Sequence, residues 1–238
     1  MKVKVLKIQN ININFKKSLK AKNISIKIKP FEGVFVTVPR FLSFQIAEDF
    51  VVSKMKWINK NLTKIQSQEK LQTNFNIGTI FHTRFHSIYI NSTLLTNNSF
   101  IKENEYVEIY ISENRRIQSL ENQIYIRNVI KETWRSEAKS YLPNKVDELA
   151  IKHNFTYKKL AIKNTKTRWG SCSFSNNINL SLHLMRLSED LIDYVILHEL
   201  VHTKVKNHSK EFWTTLEKHC PNSKNLDREL KKTSLGIF

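Results

Sequence analysis

Residues 188–208 have the sequence SEDLIDYVILHELVHTKVKNH, and this stretch decides the fold of the C-terminal part of the chain. Ser188 is a residue type that caps helix N-termini, and the two acidic residues after it suit the positive end of a helix dipole. Apolar or aromatic side chains then occupy nearly every side of the predicted helix: Leu191, Ile192, Tyr194, Val195, Ile196, Leu197, Leu200 and Val201. A helix with this pattern is predicted to be buried.

Three polar residues, His198, Glu199 and His202, interrupt this apolar helix. Burying them is costly unless they have partners. Histidines four residues apart project from one helix face and can bind one metal ion. Glu199 points elsewhere around the helix, where it can accept a proton from water at the metal. The pattern matches the H-E-x-x-H motif that is typical of metallohydrolases.

A third ligand is expected at His208, six residues after His202. Catalytic zinc sites have three protein ligands and one open position. Asn207 tolerates the left-handed conformation that ends helices, so a sharp turn there would bring His208 back to the metal. The histidine spacing equals that of H-E-x-x-H-x-x-G-x-x-H proteases, but Val205 replaces their glycine and no Met-turn follows.

Composition excludes several classes of protein. The chain has 238 residues, of which 40% are hydrophobic, and only two cysteines. It is therefore neither a disordered chain nor a disulfide-rich scaffold nor a four-cysteine zinc module. No apolar run is long enough to span a membrane, and the N-terminal residues alternate Lys with aliphatic side chains, unlike a signal peptide. We expect a cytoplasmic protein without a membrane partner.

The chain is strongly basic, with a formal net charge of +18. Much of this charge lies in residues 1–70, where Lys16, Lys17, Lys20, Lys22, Lys27 and Lys29 surround a predicted hairpin and Lys54, Lys56, Lys60 and Lys64 follow a predicted helix. Such a surface attracts DNA or another polyanion. The alternative is that excess Lys reflects the codon bias of an AT-rich genome and forms a solvated face.

The hydrophobic periodicity changes along the chain and predicts an α+β fold in two parts. Residues 1–115 form a β-rich N-terminal region with one long helix that Ser43 caps, and residues 24–38 alternate as a hairpin. Residues 116–238 form the second domain. Its first helix is expected to stop at Pro143 and to restart at Lys145. A second hairpin pairs residues 168–174 with residues 178–185 across Asn176 and Asn177.

Specific motifs in the second half resemble those of the YgjP-like metallopeptidase family, which is related to the SprT-like zinc proteases. They are Thr167–Ser173 (TRWGSCS), Ile178–Leu180, Asp193–Val195, His198–His202, Asn207–Ser209, Phe212 and Trp213. The resemblance implies a zincin-like minimal catalytic domain whose active-site helix packs on a small sheet. It implies zinc bound by His198, His202 and His208, with Glu199 as the catalytic base. It also implies that an edge strand, assigned to residues 178–185, binds an extended peptide.

Other candidate residues have two interpretations each. Arg168 and Trp169 either face the cleft, with Arg168 holding a carbonyl or carboxylate, or pack the hairpin against the helix. Cys172 is either a reactive thiol or a small buried filler. Tyr194 either stabilises an oxyanion or belongs to the core. Phe212 and Trp213 are expected to form a floor under His208.

The remaining histidines have no predicted role. His82 and His86 would lie about 13 Å apart on one strand face, too far to share an ion, so they are expected on the surface. His153, His183 and His219 have no partner that the sequence identifies.

The sequence therefore predicts a zinc-dependent hydrolase, most simply a peptidase that acts on a peptide or protein substrate. Two other classes stay open. One is a polyanion-binding module with a structural metal, for which Glu199 would be dispensable. The other is a metal-dependent hydrolase of nucleotides or other small substrates, although the chain has no P-loop and no Asp-rich magnesium cluster.

Overall fold

A computed structural model of the chain describes residues 3–29, 33–70, 73–165 and 167–233. These residues form two compact units, which divide between Thr73 and Asn74. The architecture is mixed α+β, which confirms the predicted fold class. Residue 115 lies inside the second unit, so the boundary predicted there is not the division between the units. The prediction that a catalytic domain starts near residue 116 stays a prediction.

The first unit is a four-stranded sheet followed by two helices. Its elements are β1 (Val3–Ile8), β2 (Ile11–Ser18), β3 (Ser25–Lys29), β4 (Gly33–Pro39), α1 (Phe44–Ser53) and α2 (Met55–Lys70). The strand order is β1-β2-β4-β3, with β2 and β4 parallel. The alternation of Ile13 and Phe15 with polar residues buries one face of the sheet against Ala47, Val51 and Ile58 of the helices.

The predicted hairpin is confirmed, because β3 pairs antiparallel with β4. Its turn residues 30–32 lie outside the described residues. Ser43 caps α1 by accepting a hydrogen bond from the Ile46 backbone at 3.2 Å. The prediction of one long helix is wrong, because a turn at Lys54 divides this stretch into α1 and α2.

The lysines of the first unit occupy its surface. Lys16, Lys20, Lys22, Lys27, Lys56 and Lys60 are exposed, and Lys17 is half-buried, where its ammonium group donates to the Leu42 carbonyl. The side chains of Lys29 and Lys64 lie outside the described residues. Exposed lysines are expected both for a polyanion-binding surface and for a merely solvated face. Their exposure does not distinguish the two, and polyanion binding stays a prediction.

The second unit begins with a sheet that repeats the strand order of the first. Its strands are β5 (Ile80–His82), β6 (Ser87–Thr93), β7 (Ser99–Lys102) and β8 (Tyr106–Ser112), in the order β5-β6-β8-β7 with β6 and β8 parallel. A helix follows this sheet as well. The chain thus repeats a topology that its sequence does not show as a repeat.

One helix, α3 (Leu120–Lys152), connects this sheet to the C-terminal part of the unit. The predicted break at Pro143 is wrong, because the helix continues through the proline. Proline in a helix interior costs about 3 kcal/mol. Residues on both sides of it, Leu142 and Val146 with Ala138 and Leu149, are buried, and packing them on one face outweighs that cost.

The rest of the second unit combines a small sheet with helices. The elements are β9 (Lys159–Lys163), β10 (Gly170–Cys172), β11 (Asn177–Ser181), a 3-10 helix (Leu182–Arg186), α4 (Glu189–Val201), α5 (Lys210–His219) and α6 (Ser223–Lys232). β10 and β11 form the predicted hairpin, and Asn176 adopts a left-handed φ of 59° in its turn. None of the described helices is long and apolar enough to cross a membrane.

The edge-strand assignment is corrected by the sheet order, which is β10-β11-β9. β11 lies in the centre, where β10 and β9 already use both of its hydrogen-bonding edges. It has no edge left for a peptide. Among the described residues, β10 pairs with a strand on one side only, and it lies beside α4.

His86 is not the surface residue that the sequence predicts. Its Nδ1 lies 2.8 Å from Glu137 Oε1 of α3, and the Glu137 side chain is completely buried. The same carboxylate accepts hydrogen bonds from the Thr83 hydroxyl and, at 3.1 Å, from the Phe85 backbone. Glu137 thereby fixes the β5–β6 turn to the long helix. His82 is exposed, as expected.

We expect Glu137→Ala to lower the free energy of unfolding by about 3 kcal/mol, since it removes a buried carboxylate that accepts from the Thr83 hydroxyl and the Phe85 backbone and pairs with His86. Urea unfolding measures this change. Glu132→Ala is the matched control on the same helix, because Glu132 is exposed and pairs only with Arg135. It should cost less than about 0.5 kcal/mol. Equal effects of both substitutions would contradict the anchoring role of Glu137.

Candidate metal centre

Helix α4 carries two of the three predicted histidines. It is buried along almost its whole length, as the sequence predicts, and His198 lies in its last turn. The helix ends at Val201, and His202 is its C-cap. The predicted left-handed turn at Asn207 is wrong, because none of the residues from His202 to His208 has a positive φ. The chain turns earlier, where the Val205 backbone donates to Val201 at 2.9 Å.

This turn brings His208 back to the other two histidines. Its Nε2 atom lies 3.0 Å from His198 Nε2 and 3.2 Å from His202 Nε2. The ligand atoms of these three histidines all lie within 4.8 Å of one another. Among the described residues, no other group of three or more His, Cys, Asp or Glu side chains meets this condition. The three imidazoles can therefore hold one metal ion, although their role as ligands stays a proposal.

The outer nitrogens of two imidazoles are fixed by hydrogen bonds. His202 Nδ1 lies 2.9 Å from the Val205 carbonyl, so Nδ1 carries the proton. The Tyr194 hydroxyl donates to Asp227 of α6 at 3.2 Å and lies 3.5 Å from His198 Nδ1. With its own proton used on Asp227, this hydroxyl accepts from Nδ1–H of His198. Both rings then present an unprotonated Nε2 to the centre.

Electrostatics favour neutral histidines at the centre. Burial, together with the neighbouring His202 and His208, lowers the pKa of His198 to about 3. Burial also lowers the pKa of His202. Neutral imidazoles keep the lone pairs that a metal ion requires, so the site accepts a cation without first losing protons.

Aromatic rings support the centre from below, as predicted. Phe212 is completely buried, and its ring stacks on His202 with centroids 4.5 Å apart. The Phe212 ring is also 4.7 Å from His208 and 4.8 Å from His198. Trp213 lies at 6.3 Å from His208 and packs on Phe212. Phe212 is the floor that all three histidines share.

Glu199 lies beside β10 rather than among the three ligands. It is buried, and its Oε2 atom has no hydrogen-bond partner among the described residues. A Cβ atom at Gly170 would lie only 2.6 Å from Glu199 Oε1. Burial raises the pKa of Glu199 to about 8, against the opposing effects of the Arg168 charge and hydrogen bonding from the Cys172 backbone. The unpartnered Oε2 atom leaves one hydrogen-bonding position of this buried carboxyl group open.

The comparison with protein families decides the identity of the chain. The model for the YgjP-like metallopeptidase domain matches residues 22–233. The chain belongs to the YgjP-like metallopeptidase family. This confirms the resemblance found in the sequence motifs, and membership in a metallopeptidase family implies a bound metal ion.

Two solved structures resemble part of this YgjP-like chain. One is the metallopeptidase zymogen jannalysin of Methanocaldococcus jannaschii, with 27% identity and a TM-score of 0.34, covering 38% of this chain and 93% of that one. The other is the metallopeptidase zymogen abylysin of Pyrococcus abyssi, with 24% identity and a TM-score of 0.35, covering 40% of this chain and 98% of that one. No curated protein sequence matches the chain.

Other predicted site residues are placed away from the ligand atoms. The Tyr194 hydroxyl lies on the Nδ1 side of His198, opposite the convergent Nε2 atoms. Cys172 is half-buried, and burial raises the pKa of its thiol, which favours the filler interpretation. Arg168 is exposed and lines a cavity, as described below.

The remaining histidines do have partners. His153 and His219 face each other, with their Nδ1 atoms 3.2 Å apart. His183 Nε2 lies 3.0 Å from Asn164 Oδ1, and its ring packs on Trp134. The sequence does not identify these partners, because each comes from another element of the chain.

Sequence reasoning missed Asp227 and the reason for Gly170. Asp227 gave no signal, since it follows His198 by 29 residues in an amphipathic helix. Gly170 did give one, because a glycine in a strand marks a close approach of another group.

We expect Tyr194→Phe to weaken metal binding by about 10- to 100-fold, since the acceptor that fixes the His198 tautomer is lost. Competition with a chromophoric chelator measures the affinity. Tyr157→Phe is the control, because the Tyr157 hydroxyl donates to Asp147 at 2.5 Å and that bond does not involve the three histidines. An unchanged affinity in Tyr194→Phe would show that the hydroxyl does not orient His198.

Proposed function

We propose that this chain is a zinc-dependent metallopeptidase, with His198, His202 and His208 as the zinc ligands and Glu199 as the catalytic base. Family membership supports peptidase activity. One observation carries the assignment of the residues. Three imidazole Nε2 atoms converge, and the residue that follows His198 in α4 is a buried glutamate whose Oε2 atom has no partner among the described residues.

The donor set suits zinc. Four-coordinate zinc with Zn–N bonds of about 2.0–2.1 Å separates its nitrogen ligands by about 3.3 Å. The Nε2 separations of 3.0 and 3.2 Å around His208 are close to this value. Three neutral histidines leave a fourth position for water or substrate, which is the arrangement of catalytic sites. Bound zinc supplies a Lewis acid that polarises a carbonyl and lowers the pKa of water to about 7.

Glu199 handles the proton of the reaction. Its carboxylate is buried, one residue after His198 in the helix, and accepts the proton of the attacking water. It then delivers this proton to the amine that leaves. Burial favours the protonated form that must exist between these two steps, whereas the positive charge of Arg168 opposes it.

The free edge of β10 suits an extended peptide. Trp169 and Ser173 hydrogen-bond through their backbones to Ser181 and Asn177 of the β11 side, at 2.8 and 2.9 Å. Because backbone groups alternate along a strand, those of Gly170 and Cys172 point to the other edge. The Cys172 backbone hydrogen-bonds to Glu199 there, which leaves the Gly170 backbone for a substrate. A substrate strand added there would bring a peptide bond close to Glu199 and the histidines.

The decisive experiment compares wild type with Glu199→Gln on a set of unstructured peptides and a set of nucleotides. Metal-loaded wild type should cleave peptides and leave nucleotides intact. Glu199→Gln should keep its metal and its fold but lose activity by several orders of magnitude, because only the proton acceptor is removed. Mass spectrometry of the products and metal analysis give both readouts.

Two further variants separate catalysis from metal binding. His208→Ala should lose the zinc, whereas His219→Ala should retain it, since His219 faces His153 instead. Turnover retained by Glu199→Gln would exclude Glu199 as the base. Cleavage of nucleotides instead of peptides would favour the small-substrate hydrolase.

We expect Gly170→Ala to reduce kcat for peptides by at least about tenfold while the zinc content stays at the wild-type level. The new methyl group would lie 2.6 Å from Glu199 Oε1 and 2.7 Å from its Cγ. The flexible Glu199 side chain would move aside, so the base is displaced with little loss of fold. Kinetics combined with metal analysis checks this, and a wild-type kcat would contradict the close approach.

A further inference from the structure

A polar cavity of about 260 Å³ lies next to β10. Two cationic residues, Lys163 and Arg168, line it together with the polar side chains of Thr165, Thr167, Ser171 and Asn179. No carboxylate belongs to this lining among the described residues. A cavity that offers positive charge and hydroxyl and amide groups, and no acidic side chain, suits an anionic group.

Lys163, Ser171 and Asn179 of the cavity lie on the sheet face opposite Glu199, and Gly170 lines the cavity where it borders that residue. Gly170 pairs with Leu180, and Ser171 pairs with Asn179. Successive side chains of a strand point to opposite faces. Since Leu180 is buried and Gly170 contacts Glu199 of α4, Ser171 and Asn179 belong to the other face. Their side chains are joined there by a hydrogen bond from Asn179 to Ser171 at 3.3 Å.

The loop that carries Arg168 is held in place by several hydrogen bonds. The Thr165 hydroxyl donates to the Arg168 carbonyl at 3.0 Å, and the Ser181 hydroxyl donates to the Thr165 carbonyl at 3.0 Å. The Ser181 backbone also donates to the Trp169 carbonyl at 2.8 Å. Arg168 is thus presented by a fixed backbone, which reduces the entropy lost on binding.

The two cations are available to a ligand. Both side chains are exposed, and neither forms an ion pair within the described part of the chain. No side chain that lines the cavity therefore pairs with this positive charge, and Glu199, which the Arg168 charge influences, is not part of the lining.

A peptide on the free edge of β10 reaches this cavity by simple geometry. The substrate residue level with Gly170 would point towards Glu199, and the residue level with Ser171 would point to the opposite face. Strands in a sheet lie about 4.8 Å apart, so Arg168, directly before β10, is one spacing from such a peptide, whereas Lys163 of β9 is three spacings, about 14 Å, away. An acidic substrate side chain would therefore meet the long Lys163 side chain inside the cavity, over Ser171 and Asn179. The acidic groups that a peptide carries are carboxylates.

We propose that the cavity beside Lys163 and Arg168 binds a carboxylate of the peptide substrate and makes the enzyme prefer acidic substrates. This inference rests on the proposed peptidase function. The carboxylate comes either from an Asp or Glu side chain or from the free C-terminus of the peptide. Both sources have the same chemistry, and a suitable peptide set distinguishes them.

The test uses peptides of one parent sequence in which a single Glu, Gln or Lys is moved one position at a time. Each peptide is made with a free C-terminus and with a C-terminal amide. We expect wild type to show a kcat/KM about tenfold higher for Glu than for Gln at one position, from charge-assisted hydrogen bonds at a partly exposed site. A preference that requires the free C-terminus, and not the Glu side chain, assigns the cavity to the terminal carboxylate.

Substitutions in the cavity should change the ratio of the two kcat/KM values. Lys163→Gln and Arg168→Gln should each reduce the Glu-to-Gln ratio, and Lys163→Glu should favour the Lys peptide. Lys159→Gln is the matched control and should keep the wild-type ratio. Lys159 is exposed on the same strand and the same face as Lys163 but does not line the cavity.

Binding to the Glu199→Gln variant provides a second readout without turnover. Fluorescence anisotropy should show tighter binding of the preferred acidic peptide than of its neutral counterpart, and Lys163→Gln in that background should abolish the difference. Equal cleavage of all peptides, or a preference that survives the Lys163→Gln/Arg168→Gln double substitution, would overturn the carboxylate site and leave the peptidase assignment intact. If metal-loaded wild type cleaves no peptide at all, the proposed function itself fails, and the carboxylate site fails with it.

Discussion

The close contact between Gly170 and Glu199 is the constraint on which the candidate site depends. A helix that is apolar on nearly all sides must be buried, and Glu199 is buried with it. Such a carboxylate tolerates this position only if another element leaves room for it. β10 does so with a glycine at the point of contact. The contact sets the distance between the candidate base and the free edge of β10, and this edge is the surface along which we propose that substrate lies.

The second requirement is that three flexible imidazoles point at one place. Each is held from a different part of the fold: His202 by the Val205 carbonyl, His198 by Tyr194 and Asp227, and all three by the ring of Phe212. Because α4, α5 and α6 each contribute a side chain that supports the histidines, the geometry of the site depends on how these three helices pack. Loss of one supporting side chain should leave all three histidines in place but orient them less precisely. This is the effect expected of residues that contact metal ligands without binding the metal themselves.

Several features were predictable because they depend on local chain geometry. The spacing of His198 and His202, the cap at Ser43 and the hairpin around Asn176 all follow from rules about neighbouring residues. Other expectations failed where packing outweighed a local rule. The helix continues through Pro143 because the residues on both sides share one core. His86 is buried because Glu137, 51 residues away, provides a partner that the sequence does not indicate.

The sequence by itself determined the type of chemistry, since the helical period alone places two histidines on one face and a glutamate beside them. It also indicated His208, although for the wrong reason, because the turn lies before Asn207 and uses no left-handed residue. Only the tertiary structure decided that β10 rather than β11 has a free edge, that Asp227 stands behind His198, and that Lys163 and Arg168 share a cavity. Strand order and side-chain partners across many residues depend on long-range pairing, whereas sequence periodicity reports only the face of each element that is buried.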